Sequence, residues 1–170
     1  MKNQNRFSRF FRHLFSFPWT LRHYFCSTGL AVIEQTIAES EARHTGEIRL
    51  VVETGLDIDE VIFNKTPRKR AIELFSHLRI WDTEHNNGVL IYLLLSDHDV
   101  EIVADRGIDR HVGHARWQKI CHEMETKFRC GEFEGGVLQG IVEIGAELEM
   151  YFPANGQKRK NELPNKPLIL

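Results

Sequence analysis

The sequence is short of cysteine and of uninterrupted apolar stretches, and each shortage narrows what the chain can do. Its 170 residues hold three cysteines, Cys26, Cys121 and Cys130, with no CxxC spacing. An odd, scattered set argues against a disulfide scaffold and for a reducing compartment. No run reaches the roughly 18 apolar residues that a membrane-spanning helix needs. The stretch HLFSFPWTL is a poor secretion-signal core, and no convincing small-x-small cleavage site follows it. Also missing are a Gly-rich phosphate loop, a G-x-S-x-G elbow, a cysteine phosphatase loop with its following arginine, and the D-x-[DN]-x-[DN]-G spacing of an EF-hand. A phosphatase built on this chain would have to be metal-assisted, with bound water as nucleophile.

Acidic residues are missing from one end of the chain. Residues 1–33 carry Lys2, Arg6, Arg9, Arg12 and Arg22 and no acid, which leaves 17 basic and 24 acidic residues for the rest. An acidic body lacks the positive surface that phosphate backbones require, so nucleic acid is not an expected partner. Within the basic head, Phe7, Phe10, Phe11 and Leu14 fall on one helical face and Arg6, Arg9 and His13 on another, before Pro18 interrupts the segment. Residues 1–25 therefore read as an interfacial helix meeting an anionic membrane surface, as a helix docked on the domain itself, or as an Arg-rich organelle presequence.

The body alternates periods. Thr28 can cap a helix to about Arg43, with Leu30, Ile33 and Ile37 on its buried face and Gly46 as a left-handed stop. EIRLVVE (47–53) reads as a strand. Thr66-Pro67 starts a helix to about Trp81 that buries Ala71, Leu74, Phe75 and Leu78. VLIYLLL (89–95) suggests a strand covered on both faces, SDHD (96–99) a turn, and VEIVA (100–104) the return strand. A helix from about His114 carries Trp117, Ile120, Cys121, Met124 and Phe128 and stops at Gly131. A last helix, 132–152, carries Phe133, Val137, Ile141, Ile144 and Leu148. Glycines 135, 136, 140 and 145 in that helix predict close packing on the sheet, because each costs up to about 1 kcal/mol against alanine. The order gives an α/β fold: a three-layer α/β/α sandwich around a small mixed sheet, with one parallel crossover, one β-hairpin and helices on both faces. Residues 1–27 form the basic aromatic segment, 28–153 the domain, and 154–170 read as a disordered tail.

The pattern NGVLIYLLLSDHDVEIVADRGI, then Trp117, then FRCGEFEGGVLQGIVEIGAEL ending in YFP resembles the TPM domain family. TGEIRLVVE and AIELFSHLRIWDT match the earlier half, so the resemblance covers roughly residues 28–153. It is nearest to a bacterial branch of short proteins often described as membrane proteins. The resemblance implies a small sheet sandwiched by helices. It also implies the range of activities found in the family: calcium binding in some members and weak phosphatase activity in others. TGLDIDE and Asp105-Arg106-Gly107 depart from other branches.

The topology places the entry to strand two and the exit of strand three at one end of the sheet. Asp82, Asn87, Asp105 and Asp109 on those loops are candidate ligands for a hard cation, Ca2+ or Mg2+, which takes oxygen donors. Arg106 is a candidate anion-binding residue. The alternative is that Asp82, Asn87 and Asp105 only cap turns and helix starts, with Arg106 paired to one of them. The opposite end gathers Glu53, Asp57, Asp59, Asp97 and Asp99, which read as solvated turns. A zinc site would need His111, His114, His122 and Cys121 to converge, yet Cys121 falls on the buried stripe. Trp81 and Trp117 read as core anchors. The expected function is an accessory or binding module, cytoplasmic and peripheral at the inner membrane face, that takes a divalent cation. The alternatives are a weak metal-dependent phosphomonoesterase and a structural adaptor for a protein partner.

Overall fold

The computed structural model describes residues 13, 21, 24–156 and 161–170. In chain order the elements are α1 (Ser27–Glu41), β1 (Glu47–Glu53), α2 (Ile58–Ile62), α3 (Pro67–His77), β2 (Gly88–Leu94), a 3-10 turn (Leu95–Asp97), β3 (Asp99–Ala104), α4 (Arg106–Val112), α5 (His114–Arg129), α6 (Phe133–Tyr151) and β4 (Leu168–Ile169). The sheet order is β3-β2-β1-β4. β1 runs parallel to β2, from Glu47 opposite Gly88 to Glu53 opposite Leu94, and β3 returns antiparallel with Val89 opposite Ala104.

Every residue of β1 and β2 is buried, which the unbroken apolar character of β2 leads one to expect and which in β1 includes the charged Glu47, Arg49 and Glu53. Alternation along the strands divides the burial between two cores. Ile48, Leu50, Val52, Val89, Ile91 and Leu93 face α1, α5 and α6, while Val51, Leu90, Tyr92 and Leu94 face α2 and α3. The result is the expected three-layer α/β/α sandwich.

Local chemistry sets most boundaries. Thr66 Oγ1 accepts from the Lys69 amide at 3.3 Å, with Pro67 in the first helical turn, so α3 begins where the sequence predicts. It stops earlier, at His77, and Trp81 is half-exposed instead of anchoring the core. Cys26, not Thr28, caps α1, its sulfur accepting from the Gly29 amide at 3.2 Å. Gly46 is not left-handed. A side chain there would meet Leu148 and the Asn87 carbonyl, so this glycine serves close packing rather than a helix stop. Gly131, with φ 82°, does end α5 as expected.

Three glycines of α6 are close-approach positions, but against helices and not the sheet. Gly136 faces the Phe128 ring and Gly140 the Met124 thioether, both on α5, and Gly145 faces the Ser40 hydroxyl on α1. Gly135 faces open space. The sheet face of α6 is its aliphatic stripe, where Val137, Ile141, Ile144 and Leu148 are fully buried.

The C-terminal end of the chain corrects the sequence reading, and the N-terminal end decides between two of its alternatives. Residues 161–170 are not a disordered tail: Leu168 and Ile169 pair with Val51 and Val52 as a parallel edge strand. Leu163 and Leu168 pack on the second core. Arg49 donates to the carbonyls of Pro164 (2.6 Å) and Lys166 (2.5 Å), and the Glu47 carboxylate accepts from the amides of Glu162 and Leu163, both at 3.2 Å. Two buried charges of β1 are thus satisfied by the C-terminal segment. At the other end Phe25 is only 2% exposed, Leu21 and Tyr24 pack on the first core, and His13 is buried. The described part of the head is docked on the domain; Arg6, Arg9, Phe7, Phe10 and Phe11 lie outside the described residues.

Candidate functional site

The residues of the NG and DRG motifs meet at one end of the sheet. Asn86 takes a left-handed conformation, φ 52°, that aims the following backbone into β2. Gly88 lies against the Ile80 backbone carbonyl, and Gly107 against the carbonyls of Asn86 and His85, so a side chain at either would collide with main chain. The Asp105 amide donates to the Gly88 carbonyl at 2.9 Å. Asn87 is fully buried, its Nδ2 donating to Thr45 Oγ1 at 3.1 Å and its Oδ1 accepting from Thr83 Oγ1 at 3.5 Å. Asp105 is the N-cap of α4, with Oδ1 accepting from the Arg106 amide at 2.7 Å. Its other oxygen, Oδ2, is buried and has no hydrogen-bond partner. A charged oxygen in that position is costly, since an unsatisfied buried polar group loses about 1–3 kcal/mol and a charged one more.

Asp105 and Asn87 are thus neighbours across the β2–β3 edge, while the other expected ligands are engaged elsewhere or exposed. Asp109 sits one turn along α4 and accepts from Trp117 Nε1 at 2.9 Å, which makes it the polar partner of a buried indole. Asp82 is exposed, and Arg106 is exposed in the first turn of α4. Residues 106–112 are helix, not loop. Among the described residues no three His, Cys, Asp or Glu side chains are grouped to hold a metal.

The opposite end of the sheet is more structured than its turn-like sequence suggests. Glu53, 5% exposed, receives Arg70 at two points and the Tyr92 hydroxyl at 2.5 Å. Burial, with the Glu53 charge adding, pushes the Tyr92 phenol well above its ordinary range. Nearby His13 brings Ser96 and Asp97 together, with Ser96 Oγ 3.0 Å from Nδ1 and Asp97 Oδ2 3.4 Å from Nε2. A Ser-His-Asp composition suggests acyl chemistry, but the Leu56 amide already donates to Nδ1 at 2.9 Å. The nitrogen nearest the hydroxyl is therefore not free to take its proton. The cluster is an anchor for the head. No signal in the sequence links His13 to residues 56 and 96; the link is wholly tertiary.

A groove of about 390 Å³ runs over the β3 edge, lined by Arg68, Glu101, His114, Cys121, His122 and Glu125. Three of the four zinc candidates share it, but His111 stacks instead on Tyr151 at 5.0 Å. Burial, then the Glu101 charge, pushes the Cys121 thiol up to about 12, which opposes the thiolate that zinc takes. Arg68 donates to the Ile102 carbonyl at 2.5 Å, covering part of the sheet edge.

The fold and the motif end together define a small α/β/α sandwich module with an Asn-Gly/Asp-Arg-Gly sheet terminus. The family model described as the TPM domain matches residues 23–147. The chain belongs to the TPM domain family. Among solved structures, the BA42 protein of the psychrophilic bacterium Bizionia argentinensis is 29% identical, with a TM-score of 0.75, covering 86% of this chain and 95% of that one. The N-terminal domain of a P. gingivalis protein shares the fold at 16% identity, with a TM-score of 0.60, covering 75% of this chain and 78% of that one. The search of curated proteins gave no match.

Proposed function

We propose that this TPM domain is an accessory binding module that takes a hard divalent cation, calcium or magnesium, weakly at Asp105. The observation that carries the reading is the Asp105 carboxylate, buried and with Oδ2 unpartnered. A hard cation satisfies such an oxygen. The His85 and Asn86 carbonyls lie against Gly107, two residues along the chain from Asp105, and would be the further oxygen donors. Asn87 and Asp109 already have partners within the fold, so they support the site's shape more than its charge. One carboxylate with carbonyl oxygens is a low charge count, which supports affinity in the range of about 10⁻⁴–10⁻³ M.

A bound cation could polarise a phosphate oxygen or activate water. The phosphomonoesterase reading is the weaker one, since a metal hydrolase also needs a base, and among the described residues no three His, Cys, Asp or Glu side chains are grouped to supply one beside a metal. Amide chemical shifts during a calcium titration test the proposal. Shifts concentrated at residues 85–88 and 104–107 are expected. Shifts spread over surface carboxylates, with those residues unmoved, contradict it.

A further inference from the structure

We propose that residues 161–170 regulate the cation site at Asp105: when docked, they hold its carbonyl donors in place, so that cation and docked segment stabilise each other. The inference rests on the cation reading above and gives that site a control element within the same chain.

The carbonyls that lie against Gly107 belong to a tight turn. The Asn86 amide donates to the Thr83 carbonyl at 3.2 Å, closing residues 83–86, and Asn86 is left-handed with φ 52°. On its inner side Thr83 Oγ1 accepts from the Asn87 amide at 3.1 Å, and Asn87 Nδ2 reaches Thr45. On its outer side the turn is held by the C-terminal segment. The Glu84 amide donates to the Glu162 carboxylate, 3.2 Å from Oε2 and 3.4 Å from Oε1. Glu84 directly precedes His85 and Asn86, whose carbonyls face the first turn of α4.

Glu162 sits where the segment is clamped to the sheet. The amides of Glu162 and Leu163 donate to Glu47, which stands opposite Gly88, and the Gly88 carbonyl accepts from the Asp105 amide. Glu47, Gly88 and Asp105 therefore lie side by side across β1, β2 and the exit of β3, about 5 Å per step. Undocking the segment would release the Glu84 amide and take two amides from Glu47 at the same end of the sheet as Asp105.

Glu84 and Glu162 are both exposed. A hydrogen bond between exposed groups adds little to the fold, and Arg49 with the β4 ladder docks the segment without it. The effect of the Glu162 contact is positional. A site of one carboxylate and backbone carbonyls has few charges, so its affinity depends on donors ordered before the ion arrives. With the outer hold released, the ion itself must order the turn, and affinity falls. Linkage makes the effect mutual: the factor by which docking raises cation affinity is the factor by which the cation raises docking.

Amide-shift titrations with calcium chloride, on the full chain and on Glu162→Ala and Glu162→Gln, test this. Glu162→Ala should weaken calcium on the order of tenfold at an unchanged melting temperature. Glu162→Gln keeps a side-chain carbonyl to accept from the Glu84 amide and should weaken it about twofold or less. Saturating calcium should slow hydrogen exchange of the Leu170 amide, which donates to the Val52 carbonyl, by at least the factor that Glu162→Ala loses. Calcium shifts at residues 85–88 and 104–107 that are equally tight in Glu162→Ala overturn the regulation and leave the cation site standing. So does Leu170 exchange that bound calcium leaves unchanged. Equal weakening by Ala and Gln also overturns it, because Glu162 would then act as bulk charge only. A wild-type chain with no calcium shifts at those residues overturns both the site and its regulation.

Discussion

Arg70 grips Glu53 at two points, Nε on Oε2 at 3.0 Å and Nη2 on Oε1 at 2.7 Å, and Tyr92 closes the same carboxylate from inside the sheet. The arrangement ties α3 to the ends of both central strands. A paired buried carboxylate contributes little net stability, but leaving it unpaired is costly. Arg70→Met should therefore destabilise by about 3 kcal/mol, more than the loss of an exposed ion pair such as Arg43–Glu149, which is worth about 0–1 kcal/mol. Urea unfolding of Arg70→Met and Arg43→Met side by side checks the difference.

Alkaline pH should weaken the fold through two buried groups. The Cys121 thiol is pushed up to about 12 from 9.0 and the Tyr92 phenol is raised from 10.0, both chiefly by burial. Above about pH 9 the unfolded chain releases these protons first and binds fewer than the native state, so stability falls as pH rises. The slope approaches about 1.4 kcal/mol per pH unit for each group. Cys121→Ala should delay the onset from about pH 9, and Tyr92→Phe should flatten the curve above about pH 10. Unfolding free energies at a series of pH values decide it; a wild-type curve flat from pH 8 to about 11.5 would contradict the burial of both groups.

Neighbouring glycines of α6 should respond with opposite signs. A methyl at Gly135 meets nothing, so Gly135→Ala should stabilise by about 0.5–1 kcal/mol through helix propensity. A methyl at Gly136 would run into the Phe128 ring and lie 3.2 Å from the Met124 carbonyl, so Gly136→Ala should cost about 1–3 kcal/mol. Thermal melts of the two variants give the answer directly.

The glycines also show where sequence reasoning ends. Their number in one helix announced close packing, because propensity makes them costly, but the partner surface depends on how α1, α5 and α6 are arranged. Strand residues were legible for a simpler reason: the unbroken apolar run of β2 is what a doubly covered strand leaves in a sequence, and the β-branched residues of β1 mark it as a strand although its charges conceal its full burial. Residues 161–170 misled because asparagine, lysine and two prolines look like a linker. The terminal Leu-Ile-Leu was the available signal, and Arg49 and Glu47 supplied buried charges whose partners had to come from somewhere. At the motif end, the sequence marked Asn87 and Asp105 as neighbours. It could not show that Asp109 is engaged by Trp117, an interaction set by the packing of α4 against α5.

Truncation separates the parts of the chain that belong to the fold. Removing residues 161–170 leaves Glu47 and Arg49 buried without their backbone partners and should cost about 3–5 kcal/mol. Removing residues 1–25 takes away Phe25, 2% exposed, and should cost about 3–5 kcal/mol. Denaturant midpoints of the two truncated chains check both values.

The most direct test of the cation reading is the melting temperature of the wild-type chain and Asp105→Asn, each with and without excess calcium. A ligand bound only by the native state stabilises it by mass action, about 2.7 kcal/mol at 100 times its dissociation constant. Wild type should therefore melt several degrees higher with calcium. Asp105→Asn removes the charge that a hard cation takes and also relieves an unpartnered buried oxygen. It should melt at or above the metal-free wild type and show no calcium-dependent rise. A wild type indifferent to calcium and magnesium, or an Asp105→Asn variant that responds as strongly as wild type, would contradict a cation site at Asp105.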